Sequence, residues 1–150
     1  MKAIGIIGQG FVGTAIREGL KSKFDIETYD KFKDSSCSTL EELMTKTKMF
    51  FVCLPTPMRQ DGSCDLSIIE EVIQEADKHS NGHIAIIKST ILPTTTERLN
   101  AETKDLSVVF SPEFLTEANY IDDFKNQNRI IIGGHQDPST KVADMFKKAF

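Results

Sequence analysis

A chain of 150 residues, 39% hydrophobic and 27% charged, has the size and balance of one globular domain with its own core. A net charge of −4 with no basic block argues against a nucleic-acid partner. The apolar run at residues 1–7 is too short to cross a bilayer and has no signal-peptide pattern, so no membrane partner is expected. Cys37, Cys53 and Cys64 form no CxxC pair, which fits a reducing, cytoplasmic compartment.

Residues 3–7 form a continuous apolar run, read as a strand buried on both faces. Residues 11–20 have helical spacing, with Val12, Ile16 and Leu20 on one side. A second strand is expected at 26–29, and Ser38-Thr39-Leu40-Glu41-Glu42 resembles a capping box opening a short helix. A third strand is expected at 49–54, with Cys53 as a small core residue. Pro55, Pro57 and Asp61-Gly62 mark a loop over 55–65. Ile68, Ile69, Val72, Ile73 and Ala76 form a helical stripe within 66–78. A fourth strand at 84–88 leads through a Pro93 turn to a helix at 95–102, then a fifth strand at 108–110. Residues 111–123 read as a loop, 129–133 as a sixth strand, and 138–150 as a final helix with Val142, Phe146 and Ala149 turned inward. This alternation predicts an α/β fold of the Rossmann type: a doubly wound, mostly parallel six-stranded sheet with helices on both faces. The ligand crevice of such a sheet lies at the carboxyl ends of its strands.

The first strand runs directly into Gly8-Gln9-Gly10-Phe11-Val12-Gly13 and then a helix. A lone GxGxxG is weak, but a strand before it and a helix after it are the context that gives it meaning. Gly8 permits the tight turn, Gly10 lets backbone approach a pyrophosphate, and Gly13 lets the helix pack close to the sheet. The helix N-terminus then presents free N–H groups to the phosphates. Asp30 ends the second strand, where a carboxylate accepts hydrogen bonds from a ribose diol and repels a 2′-phosphate. The cofactor expected is NAD. Lys31 and Lys33 soften the discrimination against NADP. His79, His83 and His135 do not cluster with the cysteines at ligand spacing, so no metal is expected.

Three further segments follow strands: Cys53-Leu54-Pro55-Thr56-Pro57 with Asp61-Gly62-Ser63-Cys64-Asp65-Leu66-Ser67; Lys88-Ser89-Thr90-Ile91-Leu92-Pro93; and Ser111-Pro112-Glu113-Phe114-Leu115-Thr116-Glu117, later joined by Arg129-Ile130-Ile131-Ile132-Gly133-Gly134. With the glycine loop, this set resembles the N-terminal domain of the UDP-glucose/GDP-mannose dehydrogenase family, nearest its UDP-glucose branch. The resemblance implies that Gly8, Gly10, Phe11, Val12, Gly13, Asp30, Leu54, Pro55, Thr56, Ser89, Thr90 and Glu117 contact NAD. It implies that Thr90 and Glu117 order a catalytic water, that Glu113 is the acid/base of thioester hydrolysis, and that backbone at Phe114 and Leu115 touches the nucleotide sugar. Two carboxylates beside a hydroxyl suit proton management during hydride transfer, although an isolated Glu pair more often caps or solvates a loop. Leu92, Thr94, Ser111 and Ala118 depart from the family pattern on the substrate side.

Family members oxidise a sugar C6 alcohol to a carboxylate, capturing the aldehyde on a cysteine of a later domain. None of the three cysteines here stands at that position, so residues 1–150 are expected to be a single NAD-binding domain. The central dimerisation and C-terminal nucleotide-sugar domains are expected to be absent. Two readings follow: the NAD-binding domain of a nucleotide-sugar 6-dehydrogenase, not competent alone, or a stand-alone NAD-binding or regulatory homologue that pairs with another chain in a homo- or hetero-oligomer. A third, a hydroxyacid dehydrogenase sharing the fold, is opposed by the PTP, KST and PEFL segments.

Overall fold

The computed structural model describes residues 3–150; Met1 and Lys2, which open the N-terminal apolar run, lie outside them. The elements in chain order are β1 (Ala3–Ile7), α1 (Phe11–Leu20), β2 (Ile26–Tyr29), α2 (Leu40–Lys46), β3 (Thr47–Val52), α3 (Ser67–Lys78), β4 (His83–Ile87), α4 (Thr95–Glu102), β5 (Leu106–Phe110), α5 (Tyr120–Lys125) and α6 (Gln136–Ala149). The strands form one five-stranded sheet in the order β2-β1-β3-β4-β5, every neighbouring pair parallel. The chain leaves β1 for β2 on one side and then returns to β3 on the other. That reversal creates a topological switch point between β1 and β3.

Strand alternation builds two cores. Ile7, Phe50, Val52, Ala85, Ile87 and Val108 meet Leu43 and Met44 of α2, Ile69 and Ile73 of α3, and Leu99 of α4. Ile4, Ile6, Phe51, Ile84, Ile86 and Val109 meet Ile16 and Leu20 of α1, Phe124 of α5, and Val142 and Phe146 of α6. Each fully buried Ile or Phe contributes roughly 1.5–3 kcal/mol, so this paired lining is the main reason the sheet stays covered. α2 opens on the expected box: the Glu42 N–H donates to Thr39 Oγ1 at 3.1 Å, and Glu42 Oε2 accepts the Ser38 N–H at 2.7 Å. Among the described residues no helix is long and apolar enough to cross a membrane.

Three expectations are corrected. Residues 129–133 form no sixth strand; a single antiparallel bridge joins Gly133 to Phe110. The next hydrogen-bonded pairings along β5 would use Val108 and residue 112. The Asn100 side-chain amide already holds both Val108 groups, accepting its N–H and donating to its C=O, each at 2.8 Å. Pro112 has no N–H to give, so the ladder stops in both directions. Residues 120–125, which begin inside the expected loop and run two residues past it, fold as α5 because Phe124 is fully buried against Gly19 of α1, where a side chain in place of hydrogen would lie 2.3 Å from the ring. The final helix starts at Gln136, taking Pro138 into its first turn, where a missing N–H costs nothing.

Candidate functional site

At the switch point, a cleft of about 720 Å³ opens over the carboxyl ends of the strands. Gly8, Gly10, Phe11, Val12, Asp30, Leu54, Pro55, Thr56, Ser89, Thr90 and Glu113 all line it. Gly13, Phe114, Leu115 and Glu117 do not.

The glycine loop is built by contacts that exclude side chains. Gly8 has φ +92°, and a Cβ there would lie 2.2 Å from the Cys53 carbonyl oxygen. A Cβ on Gly13 would lie 1.9 Å from the Gly8 oxygen, so α1 reaches the loop only because position 13 is bare. Gly10 has nothing within 4 Å of where its Cβ would stand, leaving its backbone open to the cleft. α1 has Gly10 as its N-cap, with no side-chain cap and no acidic residue in its first turn. Its leading N–H groups are therefore available to an anion, and these features together fit a dinucleotide pyrophosphate.

Asp30 is bound into the same loop. Its Oδ2 accepts the Gln9 N–H at 2.6 Å, and its Oδ1 accepts the Phe32 and Lys33 N–H groups at 2.8 and 3.0 Å. Burial pushes its carboxyl upward, but these backbone donors and the Lys33 charge outweigh it and hold the group below its ordinary 3.8. Gln9 is buried and fixed by three more bonds: its own amide to Gly8 O, Arg17 to its Oε1, and the Lys33 ammonium to its carbonyl at 3.1 Å. The glycine pattern treats position 9 as free, so nothing in the sequence marks this anchor.

The far wall is formed by the ends of β3, β4 and β5. Ser89 Oγ accepts the Leu54 N–H at 2.9 Å and donates to Val52 O at 3.4 Å, joining two strand ends, while Thr90 is exposed on the cleft. Glu113 Oε2 accepts the Leu115 N–H at 2.6 Å, a bond that turns the chain away from the cleft. Phe114 faces outward beneath the Arg129 guanidinium, 5.1 Å from the ring centroid, and Glu117 is exposed. The structure thus brings Thr90 and Glu113 to one cleft and leaves Glu117 off it.

Two cleft residues carry more than the sequence reading assigns them. Cys53 lies just past β3, half-buried: it packs against the second core, as expected of a small apolar residue, and also lines the cleft. Burial pushes its thiol up to about 12, with Lys88 opposing and Glu113 adding to the shift. Lys88 opens the segment after β4, where the sequence alone assigns it no role. It is buried, and its ammonium donates to Pro112 O at 3.2 Å and reaches Ser111 Oγ at 3.5 Å. Its signal was a lysine directly after the apolar run of β4. One face of α3, Ile68, Glu71, Val72 and Glu75, completes the lining near Tyr29 and Leu40. Among the described residues no group of three His, Cys, Asp or Glu side chains is placed to hold a metal.

Comparison with known proteins agrees with this geometry. The family model described as the NAD binding domain of the UDP-glucose/GDP-mannose dehydrogenase family matches residues 16–150. The match begins after the glycine loop, so the loop stands on its own geometry. A UDP-glucose 6-dehydrogenase of Rickettsia bellii is 31% identical over 110 residues, covering 70% of this chain and 25% of the relative. One from Haloferax volcanii is 28% identical over 136 residues, covering 81% of this chain and 31% of the relative. The chain therefore spans about a quarter to a third of the length of these relatives. The solved UDP-glucose dehydrogenase of Pyrobaculum islandicum superposes with TM-score 0.86 at 24% identity, over 100% of this chain and 45% of that one, which establishes the shared fold. The chain belongs to the UDP-glucose/GDP-mannose dehydrogenase family as an NAD-binding domain, and its cofactor is NAD.

Proposed function

We propose that this domain serves the NAD-dependent oxidation of a nucleotide-sugar C6 alcohol, of the UDP-glucose to UDP-glucuronate type. The observation that carries the reading is one cleft that joins an uncapped helix N-terminus, the Asp30 carboxylate and the Thr90–Glu113 wall. Bound NAD supplies the hydride acceptor. Asp30 takes the adenosine ribose and discriminates against a 2′-phosphate. Gly8, Gly10, Phe11, Val12 and Gly13 form the pyrophosphate seat, and Leu54, Pro55, Thr56 and Ser89 carry the other ribose. Thr90 orients water and Glu113 moves the proton; Glu117, off the cleft here, belongs to this set by the family resemblance alone. Phe114 and Leu115 meet the sugar through their backbone.

The aldehyde-capturing cysteine and most of the nucleotide grip are assigned to the additional length that the relatives carry, on the same or a partner chain. We infer a reducing, cytoplasmic setting, a reading that the three free thiols support. Calorimetric titration of the chain with NAD, NADP and UDP-glucose tests it. NAD binding in the micromolar to millimolar range, weaker NADP and silent UDP-glucose are expected. NADP binding as tightly as NAD, or no NAD binding, overturns it.

A further inference from the structure

Lys88 is the only buried lysine or arginine among the described residues, at 3% exposure. It follows the last residue of β4, and its ammonium crosses to the end of β5, where both acceptors, Pro112 O and Ser111 Oγ, are neutral. The titratable groups facing it are the Cys53 thiol from the end of β3 and the Glu113 carboxylate from beyond β5, neither hydrogen-bonded to it. Burial pushes the amine down to about 8, and those two groups pull it back only in part. A buried cation without a bonded anion costs stability, and such groups concentrate at functional clefts.

Its place in the cleft gives the cost a purpose. A dinucleotide at a switch point extends across it. With its adenosine half at Asp30 on the β2 side, its nicotinamide half lies on the β3–β4 side, where Lys88, Ser89 and Thr90 line the cleft. The oxidised nicotinamide ring carries a positive charge and the reduced ring none. We propose that Lys88 is a specificity-determining residue of the dinucleotide site: its buried ammonium disfavours the oxidised nicotinamide against the reduced one, so the site holds NADH more tightly than NAD. Tighter binding of the reduced form makes bound NAD the stronger hydride acceptor, which suits a domain that serves oxidation. The inference rests on the NAD-binding reading of this cleft. At about 10 Å and an effective dielectric of about 20, one unit charge changes the affinity ratio by about tenfold.

The test measures NAD and NADH dissociation constants for the wild-type chain, Lys88→Arg and Lys88→Met at about pH 6.5 and about pH 9.5, on either side of the Lys88 titration. In the wild type the preference for NADH is expected to fall about tenfold as pH rises. Lys88→Arg keeps the low-pH preference at both values, and Lys88→Met shows the high-pH preference at both. A lysine with a merely structural role moves both affinities together and leaves their ratio unchanged. A wild-type ratio that does not vary with pH overturns the inference alone, as does Lys88→Met titrating like wild type. If Lys88→Met does not fold, the wild-type pair of measurements decides. Failure of both nucleotides to bind at either pH overturns the dinucleotide reading and this inference with it.

Discussion

Asp30 and Gln9 are joined across the base of the cleft, with the Gln9 N–H donating to Asp30 Oδ2 at 2.6 Å. The carboxylate proposed to take the ribose therefore also holds the glycine loop in its turn. Asp30→Ala removes a ribose acceptor and leaves the Gln9, Phe32 and Lys33 N–H groups without their partner. A bond to a charged group is worth about 1.5–3 kcal/mol, so NAD affinity is expected to fall about tenfold to a hundredfold. Because the folded carboxyl lies below its ordinary 3.8, its contribution to folding is present above that value and is lost as pH falls through the lower folded one. Calorimetry with NAD on both proteins checks the affinity. Acid unfolding checks the sign, since the variant loses less stability than wild type on acidification.

Cys53 lines the same cleft as Thr90 and Glu113, a tempting place for a nucleophile. Its thiol, raised to about 12, is almost entirely protonated at neutral pH, and the thiolate is the reactive form. Native protein treated with iodoacetamide is expected to alkylate Cys53 at least about a hundredfold more slowly than the same chain in urea. Mass spectrometry of the labelled peptides reads the rates. Fast native labelling of Cys53 would make it a candidate for aldehyde capture and remove the need for a cysteine elsewhere.

Where local pattern and tertiary packing agree, the sequence was readable. The glycine loop is one such place: Gly8 and Gly13 are bare because each sits against a backbone carbonyl, and that need repeats wherever a strand turns into a helix over a phosphate. The capping box at Thr39–Glu42 is another, being wholly local. The sixth strand failed because Ile130, Ile131 and Ile132 have strand propensity, yet their pairing depends on a side chain about thirty residues earlier that occupies the edge. The hidden helix at Tyr120–Lys125 failed for the same kind of reason, since Phe124 is set by Gly19 across the fold. In the site, Asp30 was legible from its position after a strand and Thr90 from the resemblance its segment carries, whereas Gln9 and Lys88 gain meaning only from partners 21 to 24 residues away.

Asn100 is therefore predicted to guard the sheet edge. Its amide gives and takes one bond with Val108 and donates to Thr96 O at 3.0 Å. Asn100→Leu leaves the Val108 N–H and C=O unpaired at the rim. A loss of about 2 kcal/mol is expected, with concentration-dependent self-association as the open edge finds another strand. Urea unfolding measures the first and light scattering the second. Unchanged stability would mean that residues 134–135 move in to extend the bridge at Gly133.

Lys88 is predicted to cost the fold stability that Lys88→Met returns. Its amine falls from an ordinary 10.5 to about 8 on folding, so between those values the unfolded chain binds the proton that the folded one has released. Stability therefore rises with pH across that window, and the full penalty, about 3 kcal/mol, stands below pH 8. Lys88→Met removes the penalty but also the bond to Pro112 O, worth about 1 kcal/mol. The variant is expected to be about 1–3 kcal/mol more stable than wild type at neutral pH. Near pH 10.5 the advantage shrinks toward zero or reverses. Urea unfolding at both pH values checks it. A variant less stable at neutral pH would mean that the Pro112 and Ser111 contacts outweigh the burial of the charge, making Lys88 a structural clamp between β4 and β5.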